Sequence, residues 1–188
     1  MIYRKKLNHA EFKIMQGIMG LADAVHPMAP RLAKVFGVVP GMTVVDYGCG
    51  PGRYTVELAK LVEPGGKVFA VDLVEIALKE AEKRLIKNGI SMDTVELKLA
   101  HGYDSGLLQG CADIVFAIDM FHNVHPAPFL GEAARIAKPD GALILSGGHQ
   151  SRKSIKKAID ESGLWELNEE TTHYMKYKKK TVESSNAN

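Results

Sequence analysis

A chain of 188 residues is long enough for one domain with a proper core, and 46% hydrophobic with 24% charged residues is ordinary for a soluble globular protein. The formal charge of +2 is too small to argue for nucleic acid, and the two cysteines, Cys49 and Cys111, argue against a disulfide scaffold and fit a reducing cytoplasm. No apolar run approaches the roughly 18 residues needed to cross a bilayer, and the charged N-terminus (Arg4, Lys5, Lys6, Glu11, Lys13) lacks the apolar stretch of a signal peptide. The expectation is a soluble, cytoplasmic protein.

Residues 1–40 stand apart as a helical segment. Glu11 to Val25 has helical spacing and carries Phe12, Met15, Ile18, Met19 and Leu21; Pro27 and Pro30 break it, and Leu32 to Phe36 starts another helix. Its place before the first strand suits a lid over the carboxyl edge of a sheet. Met15, Met19 and Met28 are either packing residues or a flexible apolar surface over a substrate.

Strand and helix then alternate. Thr43-Val44-Val45 has the branched composition of a buried strand, opened by Pro40-Gly41 and closed by Asp46. Gly48, Gly50 and Gly52 follow at every second position, and Tyr54 to Leu61 has helical spacing. Lys67 to Val71 is a second strand, ending at Asp72. Val74 to Asn88 is an amphipathic helix stopped by Asn88-Gly89. Val95 to Leu99 alternates like a strand nearer the sheet edge, whereas Asp113 to Ile118 is nearly all apolar, as a central parallel strand should be. Phe129 to Lys138 is predicted helical and halted by Pro139-Asp140-Gly141; Ala142 to Leu145 is a fifth strand, and Ser151 to Ser162 another helix. Leu164–Leu167 and Tyr174–Tyr177 are predicted as closing strands of a hairpin, and Lys178 to Asn188 as a frayed polar end. One domain over 1–188 results, with 41–178 as its α/β core and 179–188 as a polar tail.

Strand, glycine loop, helix is a nucleotide-binding arrangement. Two versions of it are disfavoured. A dinucleotide fingerprint needs Gly or Ala three positions past its second glycine, where Arg53 stands, and the lysine of a phosphate-binding loop is missing. What remains is an acid at the end of each of two successive strands, Asp46 and Asp72, with the glycines between them. A carboxylate at the second position can accept hydrogen bonds from ribose hydroxyls.

Val44 to Gly52, Val68 to Leu73, Asp113 to Val124 and Lys138-Pro139-Asp140-Gly141 together resemble the successive motifs of class I S-adenosylmethionine-dependent methyltransferases. The resemblance spans about residues 38–148, and is nearest to the subgroup that methylates quinones, sterols and other small molecules. It implies a Rossmann-like, doubly wound seven-stranded sheet, mostly parallel with an antiparallel last strand, and S-adenosylmethionine as cofactor. It also implies the cofactor residues: Gly48, Cys49, Gly50 and Gly52 behind the methionine moiety, Asp46 near its amino group, Asp72 on the ribose and Leu73 against the adenine. Gly102, Tyr103 and Ile118 complete the set. One motif departs from the pattern: Tyr103 takes a slot usually acidic, so either Tyr103 or the shifted Asp104 meets the adenine amine.

Methyl transfer by in-line displacement rests mainly on alignment, and needs a base only where the acceptor must lose a proton. His122, in the loop after the fourth strand, is the candidate catalytic residue, either as base or as packed wall; Asp119 either binds a polar or cationic substrate or caps a turn. His125-Pro126 opens the following helix. The expected acceptor is small and partly apolar, with no metal involved. The alternatives are an RNA or protein methyltransferase, for which Lys176, Lys178, Lys179 and Lys180 give only a basic end, and a non-catalytic cofactor-binding subunit. Oligomeric state is open.

Overall fold

Branched and small apolar residues alternate between two buried faces along each central strand, and this pattern builds the molecule. The computed structural model describes residues 36–146 and 150–180. The expected helix over Glu11–Val25, the rest of the lid before Phe36 and the tail beyond Lys180 lie outside the described residues. The elements are β1 (Thr43–Tyr47), α1 (Arg53–Val62), β2 (Lys67–Asp72), α2 (Glu75–Lys87), β3 (Val95–Leu99), β4 (Ala112–Ala117), a 3-10 turn (Phe121–Asn123), α3 (Pro126–Ile136), β5 (Ala137–Leu145), α4 (Arg152–Ser162), β6 (Trp165–Glu170) and β7 (Met175–Lys179).

The seven strands form one sheet in the order β3-β2-β1-β4-β5-β7-β6. Strands β1 to β5 pair in parallel, and β7 runs antiparallel to both its neighbours. In β1, Val44 turns to one face and Val45 to the other, the strand period of two at work. On Val44's face pack Val56 and Ala59 of α1, Leu78 and Leu85 of α2, and Phe36. On Val45's face pack Phe129, Leu130 and Ala133 of α3, Ile155 and Ile159 of α4, and Trp165. With both faces covered, β4 can be almost wholly apolar without exposing it.

Local chemistry sets the helix ends. The Ser151 side chain accepts the Ser154 amide at 3.2 Å and so caps α4, and Gly163 ends it with a φ of 66°. Pro126 stands in the first turn of α3 behind His125, as the sequence predicts.

Three departures from expectation bear on the packing. Helix α3 stops at Ile136 rather than Lys138, and Ala137 already belongs to β5, so Pro139-Asp140-Gly141 lies within that strand instead of before it. Proline disfavours the helical conformation of the residue preceding it, and the register shifts between Ala112 and Ile114 absorb the extra length. Lys178 and Lys179 are not frayed but lie in β7, where the Lys179 ammonium donates to the Ala137 carbonyl at 2.9 Å. Phe36, at the edge of the expected lid, is fully buried against the Phe116 and Tyr174 rings, at centroid distances of 5.1 and 5.2 Å.

Candidate active site

The chain runs from β1 outward through β2 to β3, then returns to β4 on the other side of β1. Doubly wound sheets open a crevice at such a reversal, outside the carboxyl ends of the strands, here those of β1 and β4. The glycine loop stands there.

Its anchoring is specific. The Gly48 and Cys49 amides donate to the Val71 carbonyl at 2.8 and 3.0 Å. The Gly50 amide donates to Asp72 Oδ2 at 2.9 Å, and the Val74 amide to Oδ1 at 2.9 Å. A carboxylate has about four acceptor sites, so Asp72 keeps capacity for a further donor. Burial raises its pKa, against hydrogen bonds from the Gly50, Val74 and Leu73 amides that lower it.

Two glycines meet different needs. Gly52 has a φ of 75° and precedes α1; a Cβ there would sit 3.0 Å from that of Ala81 on α2. Gly50 has a φ of 52°, and a Cβ there would meet nothing within 4 Å: the backbone fronts open space. Gly48 is closed off by Met120, whose Cβ and Cγ would lie 3.0 Å from an added Cβ.

Asp46 lies buried beneath the loop, and the Thr55 hydroxyl donates to its Oδ2 at 2.6 Å. Burial pushes its carboxyl up to about 6; the Thr55 hydrogen bond opposes this and the Asp72 charge adds to it. The thiol of Cys49 is likewise driven well up by burial and by both carboxylates, so it is no nucleophile near neutrality. Leu73 and Tyr103 are partly buried against one core cluster, and Ile118 is buried in the other.

Gly102 and Tyr103 form a tight turn closed by His101 and Asp104, whose amides and carbonyls pair at 2.9 and 3.2 Å. Asp104 Oδ1 accepts the Gly106 amide at 2.8 Å. The Tyr103 hydroxyl accepts the His125 amide at 2.7 Å, and its carbonyl accepts the Tyr47 hydroxyl at 2.8 Å. Tyr103 therefore ties the ends of β1 and β3 to the loop before α3. Glu132 secures the next stretch: its Oε1 accepts from both the Ser105 amide and hydroxyl, while Arg135 donates to the Leu107 carbonyl at 2.9 Å. His122 is half-buried on the 3-10 turn between β4 and α3.

The sequence-predicted cofactor residues of β1, β2 and their loops thus gather at one end of the sheet, with Gly102 and Tyr103 beyond β3 and Ile118 and His122 after β4. Sequence reasoning missed Thr55, Tyr47 and Ser146. Thr55 at the start of a helix behind an acid-ended strand was the only one with a local signal.

A family model described as a methyltransferase domain matches residues 39–185. The chain belongs to that family. Its methyltransferase domain is 32% identical over 136 residues to a ubiquinone biosynthesis O-methyltransferase of Thiobacillus denitrificans, covering 72% of this chain and 56% of that protein. It is 29% identical over 141 residues to the nocamycin O-methyltransferase of Saccharothrix syringae, covering 71% of this chain and 49% of that protein. The chain spans about half the length of these curated relatives. A crystal structure of an S-adenosylmethionine-dependent methyltransferase from Aquifex aeolicus superimposes with a TM-score of 0.70 at 25% identity, covering 81% of this chain and 88% of that chain. Among the described residues, no helix is long and apolar enough to cross a membrane.

Proposed function

We propose that this chain is an S-adenosylmethionine-dependent methyltransferase acting on a hydroxyl of a small, partly apolar acceptor. The observation that carries the reading is the glycine loop bonded through Gly50 to Asp72, at the point where the sheet changes direction in a methyltransferase-family chain. The site fits the cofactor: the Gly50 backbone fronts open space, and Asp72 keeps acceptor capacity for a ribose hydroxyl. S-adenosylmethionine supplies an electrophilic methyl carbon on a positively charged sulfur. Around it, Gly48–Gly52 would back the methionine part over the buried Asp46. Leu73, Gly102 and Tyr103 would border the adenine, with Ile118 flooring the crevice and His122 walling it.

Two O-methyltransferase relatives support a hydroxyl acceptor. The alternative of RNA or protein methylation has a smaller basic end to draw on, because the Lys176 and Lys179 ammoniums donate to the Phe36 and Ala137 carbonyls and fasten β7, leaving Lys178 and Lys180 exposed.

The test begins with mass spectrometry of the ligand that copurifies, followed by calorimetric titration with S-adenosylmethionine. A nicotinamide or flavin in place of an adenosyl compound would overturn the cofactor. Labelled-methyl transfer to phenols, quinols and small acids then identifies the acceptor class.

A further inference from the structure

Among the described residues, Asp119 is the only non-glycine residue with a positive φ, at 58°. Strain of this kind persists only where surroundings impose it, and it concentrates at functional positions. Here the imposing group is Ser146 at the end of β5. The Asp119 amide donates to Ser146 Oγ at 2.8 Å, and the Ser146 hydroxyl donates to Asp119 Oδ1 at 2.8 Å. Ser146 is itself buried, so its hydroxyl has little freedom to turn elsewhere.

The carboxylate so fixed is exposed, and no donor among the described residues reaches its Oδ2. A turn alone would be served at lower cost by glycine. The position also matters. Gly50, Asp72 and Gly102 gather on the β1–β2–β3 side of the crevice, whereas Asp119 and Ser146 end β4 and β5 on the other side. Met120, next in the chain, packs against Gly48 and joins the two halves.

We propose that Asp119 is the acceptor-binding residue of this methyltransferase: its Oδ2 receives the hydrogen bond of the acceptor hydroxyl and takes that proton as the methyl group arrives. The inference rests on the hydroxyl-acceptor reading above. In the step, the acceptor oxygen forms a bond to the methyl carbon as the carbon–sulfur bond breaks, its electron pair remaining on sulfur. The O–H pair stays with oxygen, and the proton passes to Asp119. A sulfonium and a carboxylate become a neutral thioether and a carboxylic acid, which then returns its proton to water. The same negative charge selects neutral hydroxyl donors over acceptors that are already anionic.

The test uses the full chain with S-adenosylhomocysteine and 4-nitrocatechol, a hydroxylated probe whose ionised form absorbs in the visible. Asp119→Asn is the variant, because asparagine also tolerates positive φ and can still accept from Ser146. At a pH low enough to keep the probe neutral, calorimetry should show unchanged S-adenosylhomocysteine affinity and probe binding weakened about tenfold, as a charge-assisted hydrogen bond is lost. In the parent complex the bound probe should ionise about one pH unit higher than in the variant, because the nearby carboxylate disfavours its anion. Equal probe affinity and equal ionisation in the two proteins would overturn the role of Asp119 while leaving the methyltransferase reading intact, as would failure of the parent to take up the probe. Failure of both proteins to bind S-adenosylhomocysteine would overturn that reading, and the role of Asp119 with it.

Discussion

The Gly50 amide donates to Asp72 Oδ2 at 2.9 Å, so the loop after β1 and the acid that ends β2 hold each other in place. Asp72 is thus both a support for the cofactor cradle and a candidate partner of the cofactor. Asp72→Ala should weaken S-adenosylmethionine binding by about 1.5–3 kcal/mol, the range for losing hydrogen bonds to a charged group. Calorimetric titration measures it, with circular dichroism to confirm the fold. Unchanged affinity would remove Asp72 from the ribose.

The buried Asp46 makes stability depend on pH. Its carboxyl is pushed up to about 6 in the fold, above its ordinary value of 3.8, so the folded chain holds that proton more tightly than the unfolded chain does. The stabilising contribution of the neutral group is complete below about pH 4 and is lost as pH rises through about 6, amounting to ~3 kcal/mol. Asp46→Asn keeps an acceptor for the Thr55 hydroxyl and carries no charge. The variant should be more stable than the parent near about pH 7.5, with the gap closing toward about pH 4. Urea denaturation of the ligand-free proteins at several pH values reads the difference.

Two neighbouring glycines should respond differently to alanine. Gly52→Ala drives a methyl group against Ala81 at a φ of 75° and should cost about 1–3 kcal/mol of stability, seen by chemical denaturation. Gly50→Ala meets no neighbour within 4 Å and carries only the left-handed penalty of about 1–2 kcal/mol. The added methyl stands in the cradle, however, so cofactor affinity should fall more for Gly50→Ala than for Gly52→Ala. The reverse order would place the cofactor elsewhere.

With Asp119 carrying the proton, His122 is left as a wall of the crevice. His122→Ala should then lower turnover per folded molecule less than about tenfold, against the roughly 10²–10⁴-fold that loss of a general base costs. Labelled-methyl turnover, corrected for the folded fraction, gives the comparison.

The parts of this site that were legible in sequence are those written in consecutive residues. An apolar run ending in Asp46, three glycines and a second run ending in Asp72 specify strand ends and a bare loop without reference to the rest of the chain. The partnerships that complete the site join distant positions: Tyr47 with Tyr103, 56 residues apart, and Asp119 with Ser146, 27 apart. No periodicity encodes which strand ends become neighbours. The start of β5 was hidden for another reason. Pro139-Asp140-Gly141 has the composition of a terminator, yet it lies inside β5, where a Cβ on Gly141 would stand 3.1 Å from the Ala112 carbonyl oxygen. The strand continues past the register shift because glycine permits that approach. The antiparallel last strand followed only from family resemblance, and the insertion of β7 between β5 and β6 had no signal at all, since two short strands in a hairpin read the same in either sheet order.

That insertion bears on how the protein is made. Strand β6 is synthesised before β7 but pairs with nothing except β7, and the outer edge of β5 is likewise sealed only by β7. A ribosome delivers the chain from its N-terminus, so the parallel strands can assemble while Leu143, Ile144 and Leu145 still present an unpaired apolar edge. Such an edge is a template for pairing with another chain. Synthesis interrupted anywhere between Trp165 and Met175 would release a nearly finished sheet with its stickiest margin open, and a nascent chain stays at that hazard until Met175–Lys179 emerges.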